Sequence, residues 1–184
     1  MKSKLEDEYF TTNMATEREM REYKVRQTNY LYTNRFNDKT YEENRKFCNR
    51  CGLIGVYSCL YPLPETVKPT AKVFVLEMNN SQKKIMAIGR IVNEYRDDIY
   101  RIYESHNYNN KHYRVKERIE INKMKEDEKE MIKALEKQCF YGKGHLMRGK
   151  DLRSFPWLKM ATCAKNGYDI LEKIKNMFEK RKSI

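Results

Sequence analysis

Three groupings in the 184-residue sequence combine residue types that can do chemistry. The first is cysteine. Cys48-x2-Cys51 sets two thiols within chelating reach, and Cys59 follows closely enough to add a third ligand. A structural zinc site wants four ligands, and His145, Cys139 or Cys163 would have to complete it through the fold; ordinary buried or surface thiols are the competing reading. The second is Gly142-Lys143-Gly144-His145-Leu146-Met147-Arg148-Gly149-Lys150, where glycines permit close approach and the basic side chains attract anions. It suits a phosphate backbone, the rim of a ligand pocket, or a plain flexible connection. The spacing is not that of a P-loop, and Asp151 would repel phosphate. The third interleaves rings with positive charge: Tyr100, Arg101, Tyr103, Tyr108, His112, Tyr113 and Arg114, with Phe155-Pro156-Trp157 as a further aromatic wall. Tyrosine stacks on bases and arginine stacks or binds phosphate, although the same rings can simply finish a core.

Catalytic patterns are missing from the sequence. Glu77 and His145 are isolated candidates that no spacing joins as acid and base, and there is no serine nucleophile elbow, HExxH pair or nucleotide cassette. The chain reads as a binding protein rather than an enzyme, with no cofactor required beyond the zinc option at Cys48, Cys51 and Cys59.

Charge narrows the partners. Lys and Arg number 38 against 26 Asp and Glu, giving a formal net charge of +12, a field that attracts nucleic acid, anionic membrane or an acidic protein. No apolar run approaches the roughly 20 residues of a membrane span, and the N-terminal MKSKLEDEYF carries charges where a signal peptide is apolar. An intracellular site, cytoplasm or nucleus, is the expectation, with the five cysteines reduced.

The elements that would position these groups follow from periodicity. Residues 1–46 are expected to form an N-terminal arm or peripheral helix, with 17–23 the best helical stretch and much of 28–46 loop or arm. Residues 47–184 are expected to form a single α+β domain with a β-rich centre at 72–120. Val73-Phe74-Val75-Leu76 predicts an interior strand, Asn79-Asn80-Ser81 a turn, and 85–92 a second strand whose Gly89 implies a bulge or the close approach of another group. A third strand is expected at 99–103. In 112–120, alternation puts His112, Arg114, Lys116 and Arg118 on one basic face and Tyr113, Val115 and Ile119 on the other. Helices are expected near 122–140, on Met124, Met131, Leu135 and Cys139, and near 169–180, capped by Asp169.

Two stretches carry a family resemblance. Val73-Phe74-Val75-Leu76-Glu77-Met78-Asn79 followed by Met86-Ala87-Ile88-Gly89-Arg90-Ile91 is similar to the strand pair of EVE-like domains, and Gly144-His145-Leu146-Met147-Arg148-Gly149-Lys150 resembles a segment of proteins encoded by large double-stranded DNA viruses. The resemblance is to the PUA-like group of EVE, ASCH and YTH modules. It implies a small curved β-barrel or half-barrel flanked by helices, with a pocket for a flipped or modified base. YTH modules use an aromatic cage there, for which Trp157 is the single indole of this chain. No catalytic residue carries over. Together, charge and resemblance lead to the expectation of a nucleic-acid-binding module. Arg101, Arg114, Lys116, Arg118, Lys143 and Arg148 would contact phosphate beside His145, and Tyr103, Tyr113 or Trp157 would stack. The alternative is a viral structural or assembly protein, within a host cell or virion, whose basic surface meets the genome or an acidic or capsid partner.

Overall fold

Val73-Phe74-Val75-Leu76 can be buried on both faces only if its backbone is paired on both sides and covered above and below. The computed structural model does this. It describes residues 4–96, 101–106, 109, 111–149 and 152–182, with backbone alone at 4–7. In chain order the elements are α1 (Lys4–Thr11), α2 (Glu17–Arg26), β1 (Asn29–Phe36), α3 (Asp38–Cys51), β2 (Val56–Cys59), β3 (Lys72–Asn79), β4 (Lys84–Ile91), β5 (Lys111–Arg114) and β6 (Glu117–Glu120). A 3-10 turn at Ile121–Lys123 leads into α4 (Glu126–Phe140), and β7 (Arg153–Ser154), α5 (Trp157–Lys165) and α6 (Ile170–Lys180) complete the fold.

A five-stranded sheet runs β6-β4-β3-β1-β7, and a separate two-stranded sheet pairs β2 with β5. The central strand β3 lies parallel to β1 and antiparallel to β4. Its alternation divides the core. Phe74, Leu76 and Met78 join Leu31, Ile88, Leu135, Phe155, Ile174 and Phe178 under the helices, whereas Val73 and Val75 join Tyr32, Phe47, Val56, Tyr57 and Tyr113 beneath α3 and the small sheet.

Four expectations change here. The barrel or half-barrel does not form: the fold is α+β with two sheets, neither closed nor strongly curled, and β6 and β7 remain the edges of the larger one. Residues 28–46 are not a loop, since β1 carries a full ladder to β3 and α3 follows at once, with a capping box between Asn37 and Thr40. The described part of the 99–103 strand, residues 101–103, is irregular, and Tyr100 and Tyr108 lie outside the described residues. The single basic face of 112–120 is broken, because the chain leaves the small sheet at Val115 and enters the large one as β6. Period-2 alternation cannot carry across that change of sheet, and within β5 the neighbours His112 and Tyr113, on opposite faces, are both buried.

Gly89 sits opposite Val75 in regular pairing; the register shift of β4 falls instead opposite Glu77 and Met78. Its reason is close approach. A Cβ at Gly89 would lie 1.9 Å from the Tyr57 hydroxyl, which donates to Glu77 at 2.8 Å. α4 and α6 form where apolar periodicity places them, α6 being capped by Asp169, whose carboxylate accepts from the amides of Leu171 and Glu172 and from the Tyr23 hydroxyl.

Candidate nucleic-acid interface

Three of the side chains expected to touch a nucleic acid, those of Tyr103, Tyr113 and Arg118, are spent inside the fold. Arg118 points inward with a side chain 4% exposed and forms a two-bond fork with Glu77, Nε to Oε1 at 2.9 Å and an Nη to Oε2 at 2.8 Å. It also donates to Glu120 at 2.6 Å and to the Tyr41 hydroxyl at 3.0 Å. Burial opposes its charge, but Glu77's hydrogen bonds and charge outweigh that and raise its affinity for the proton. Tyr103 is buried and accepts from Asn44 at 2.9 Å; Tyr113 is buried, donates to Asn93 and accepts from the Leu63 amide at 2.8 Å. Arg114 is half-buried at the Val56 register position of the small sheet. Trp157 opens α5 in edge contact with Tyr23 and Tyr30, under the Lys24 ammonium, and packs on the helical core. Arg101 and Lys116 are exposed but lie on separate segments.

The cysteines do not assemble either. Cys48 and Cys51 occupy the last turns of α3, where Cys48 is buried in the core and Cys51, the final helical residue, is exposed, and Cys59 is buried in β2. Among the described residues no three His, Cys, Asp or Glu side chains gather as a metal site. Burial raises the thiol pKa of Cys48, and pushes Cys139 and Cys163 up to about 12. Native protein treated with iodoacetamide near pH 8 should therefore be alkylated at Cys51, with Cys48, Cys139 and Cys163 reacting only after unfolding; peptide mass mapping checks this.

A cleft does form, at the end of the large sheet between β4, β6 and α4. α4 buries Met131, Ile132, Leu135 and Cys139, so its helical period turns Lys129, Lys133 and Glu136 toward β4 and solvent. Ile85, Met86, Ile121 and Ile132 give the cleft an apolar lining, Tyr41 of α3 adds a ring, and its volume is about 560 Å³. That is within the range of small-ligand sites, roughly 300–1,000 Å³. Lys84 and Lys133 are exposed on it and make no ion pair among the described residues, while Lys129 pairs with Glu126 at 2.7 Å.

Two carboxylates share this cleft. Glu136 accepts from the Ile85 amide at 2.8 Å, tying α4 to the start of β4, and burial pushes its pKa upward against the pull of that amide and of Lys84 and Lys133. For Glu120, burial opposes ionisation but the Arg118 bond and charge prevail, holding the carboxyl below its usual range. The buried Arg118 and Glu77 pair thus fixes one wall.

The glycine-rich loop follows α4 and is held by α4, β1 and the β3–β4 turn. Gly142 turns the chain at φ 78°, the Leu146 amide donates back to Cys139 at 2.7 Å, and the Met147 amide donates to His145 Nδ1 at 3.3 Å. Arg35 of β1 donates to the Leu146 carbonyl, and Asn80 in the β3–β4 turn donates to that of Met147 at 3.0 Å. Lys143, His145 and Arg148 then line an open depression of about 550 Å³. Lys83, next to Lys84, places its ammonium 5.3 Å from the ring of Tyr141, next to Gly142, so the depression and the cleft are joined by one basic and aromatic seam. Of the expected contacts, Lys143, His145 and Arg148 are brought together; Lys83, Lys84, Lys133 and Tyr141 were missed. The Lys129, Lys133, Lys137 step of four residues was a legible signal for a basic helix face.

No helix of the described residues is long and apolar enough to cross a membrane. No protein-family model matches the chain, and no curated protein matches it. Among solved structures it is similar to the YTH domain of the Zygosaccharomyces rouxii MRB1 protein in complex with N6-methyladenosine RNA, at 13% identity over 74% of this chain and 85% of that one, with a TM-score of 0.37. It is also similar to the Pho92 YTH domain in complex with m6A, at 11% identity over 79% and 90%, with a TM-score of 0.36. The likeness to these YTH domains is weak.

Proposed function

We propose that the chain is a nucleic-acid-binding module that lays a single strand along the seam from Lys133 and Lys84 to Lys143 and Arg148, with one unstacked base entering the cleft beside Tyr41. The observation that carries this is an apolar cleft whose exposed lysines continue, through Lys83 and Tyr141, into the basic depression of the glycine-rich loop. Phosphates need positive charge along a line, and an unstacked base needs an apolar slot. The net charge of +12 supplies attraction at a distance.

Binding of labelled single-stranded oligonucleotides should weaken linearly on a log–log plot against salt, with a slope of about 0.7 per phosphate contacted. Reversing charge at Lys84 and Lys133, or at Lys143 and Arg148, should weaken binding by about tenfold or more and flatten that slope. Reversing Arg101 and Lys116 should change much less. Affinity no better than that of a lysine-rich control protein at near-physiological salt, or equal losses from both sets of variants, would reject the interface.

A further inference from the structure

The inside of the cleft has a chemistry opposite to its rim. Lys84 and Lys133 are exposed, whereas the carboxylates of Glu120 and Glu136, on the two walls formed by β6 and α4, are partly buried; Asn122 and the Tyr41 hydroxyl are the uncharged polar groups of the lining. Each carboxylate is held through one oxygen. Glu120 Oε1 accepts from Arg118 at 2.6 Å, and Glu136 Oε1 accepts from the Ile85 amide at 2.8 Å. The second oxygen of Glu120 makes an ion pair with the ammonium of Lys123 at 3.7 Å, without a hydrogen bond. When ionised these carboxylates only accept, so a planar ligand that enters between Ile85, Ile121 and Ile132 and turns an edge to either of them meets acceptors. That edge is best matched if it donates.

Among unpaired bases, guanine alone presents two adjacent N–H groups, at N1 and the 2-amino position, that match one carboxylate in a two-bond pair. Adenine and cytosine set a single amino group beside a ring nitrogen that accepts, and uracil flanks its one N–H with carbonyl oxygens. Those acceptors would face carboxylate oxygens and be repelled, leaving a desolvated polar group unpaired. The lysine rim meanwhile requires an anion attached to the base. We propose that this cleft selects a guanine carried by a phosphate, with Glu120 or Glu136 reading the N1 and 2-amino edge. This rests on the strand-binding reading above for its path along the surface, but the base preference is a separate property of the two carboxylates. The guanine can come from a strand or from a free guanine nucleotide.

The test is anisotropy with labelled oligouridines that differ at one central base, guanine, hypoxanthine, adenine or cytosine, together with guanosine monophosphate as a free competitor. Guanine should bind about tenfold or more tightly than adenine or cytosine, and hypoxanthine, lacking the 2-amino group, should fall between them. Glu120→Gln and Glu136→Gln keep an oxygen for Arg118 and for the Ile85 amide. Urea midpoints of both variants are to be matched to the parent. At least one should lose the guanine preference, through weaker guanine binding, tighter adenine binding or both, while its salt slope stays unchanged. Equal binding of guanine and adenine oligomers overturns the proposal and leaves the strand reading standing. Preservation of the preference in both variants also overturns it. Capture of guanosine monophosphate without any strand binding supports the guanine site and rejects the strand path, and failure to bind either probe rejects both.

Discussion

Replacing Arg118 by alanine is expected to remove about 3–5 kcal/mol of folding stability, measured as a shift of the urea midpoint at constant slope. The side chains of Arg118 and Glu77 are 4% and 3% exposed, so deleting the guanidinium leaves the Glu77 carboxylate in the interior with, among the described residues, the Tyr57 hydroxyl alone to satisfy it. Tyr41 and Glu120 lose a donor in the same step. Lysine would keep the charge but not the fork, and should recover little. Converting both members, Glu77→Leu with Arg118→Met, should recover much of the loss, because removing a buried pair together leaves no unpaired charge. A loss under about 1 kcal/mol for Arg118→Ala would mean that water reaches the pair and that Arg118 is a surface contact after all. Lys116→Ala, two residues away and exposed, should stay within about 0.5 kcal/mol of the parent.

Gly89→Ala should destabilise by about 1–3 kcal/mol although it adds one methyl group to a strand that otherwise favours substituents. The new Cβ would stand 1.9 Å from the Tyr57 hydroxyl and 2.9 Å from its ring carbon Cζ. Tyr57 is buried and anchored on Glu77, so it cannot swing aside without breaking into the same ion network. Tyr57→Phe introduced with Gly89→Ala should recover part of the loss by removing the worse overlap, while the 2.9 Å approach persists. A melting temperature for Gly89→Ala equal to that of the parent would show that β4 has room to shift there.

These effects fall on different sides of what a sequence can disclose. Local pattern determined the elements whose signal is contained in their own residues. Val73 to Leu76 is apolar enough to require cover on both sides, the i, i+4, i+7, i+8 spacing of Ile170, Ile174, Met177 and Phe178 turns one face of α6 inward, and Asp169 begins that helix from its own side chain. The oddity of Gly89 was visible too, as a residue a strand would not choose. β1 was not legible, because Asn29, Thr33, Asn34 and Arg35 deny it an apolar pattern; it is a strand because β3 and β7 pair with it from elsewhere in the chain.

For the candidate site the division is sharper. The sequence supplied the positive charge and the glycine-rich loop, but a lysine or arginine in a list has no direction. Arg118 and Lys116 alternate with Glu117 in a pattern that reads as one basic face, yet only the departure of the chain from the small sheet at Val115 decides that Arg118 turns toward Glu77, a residue 41 positions away. In the same way Lys84 and Lys133 become one rim because Glu136 bonds the Ile85 amide across 51 positions. Composition is additive along the chain and therefore readable. The pairing of a carboxylate with a distant guanidinium or amide depends on which surfaces are buried against each other, and that was decided by tertiary structure alone.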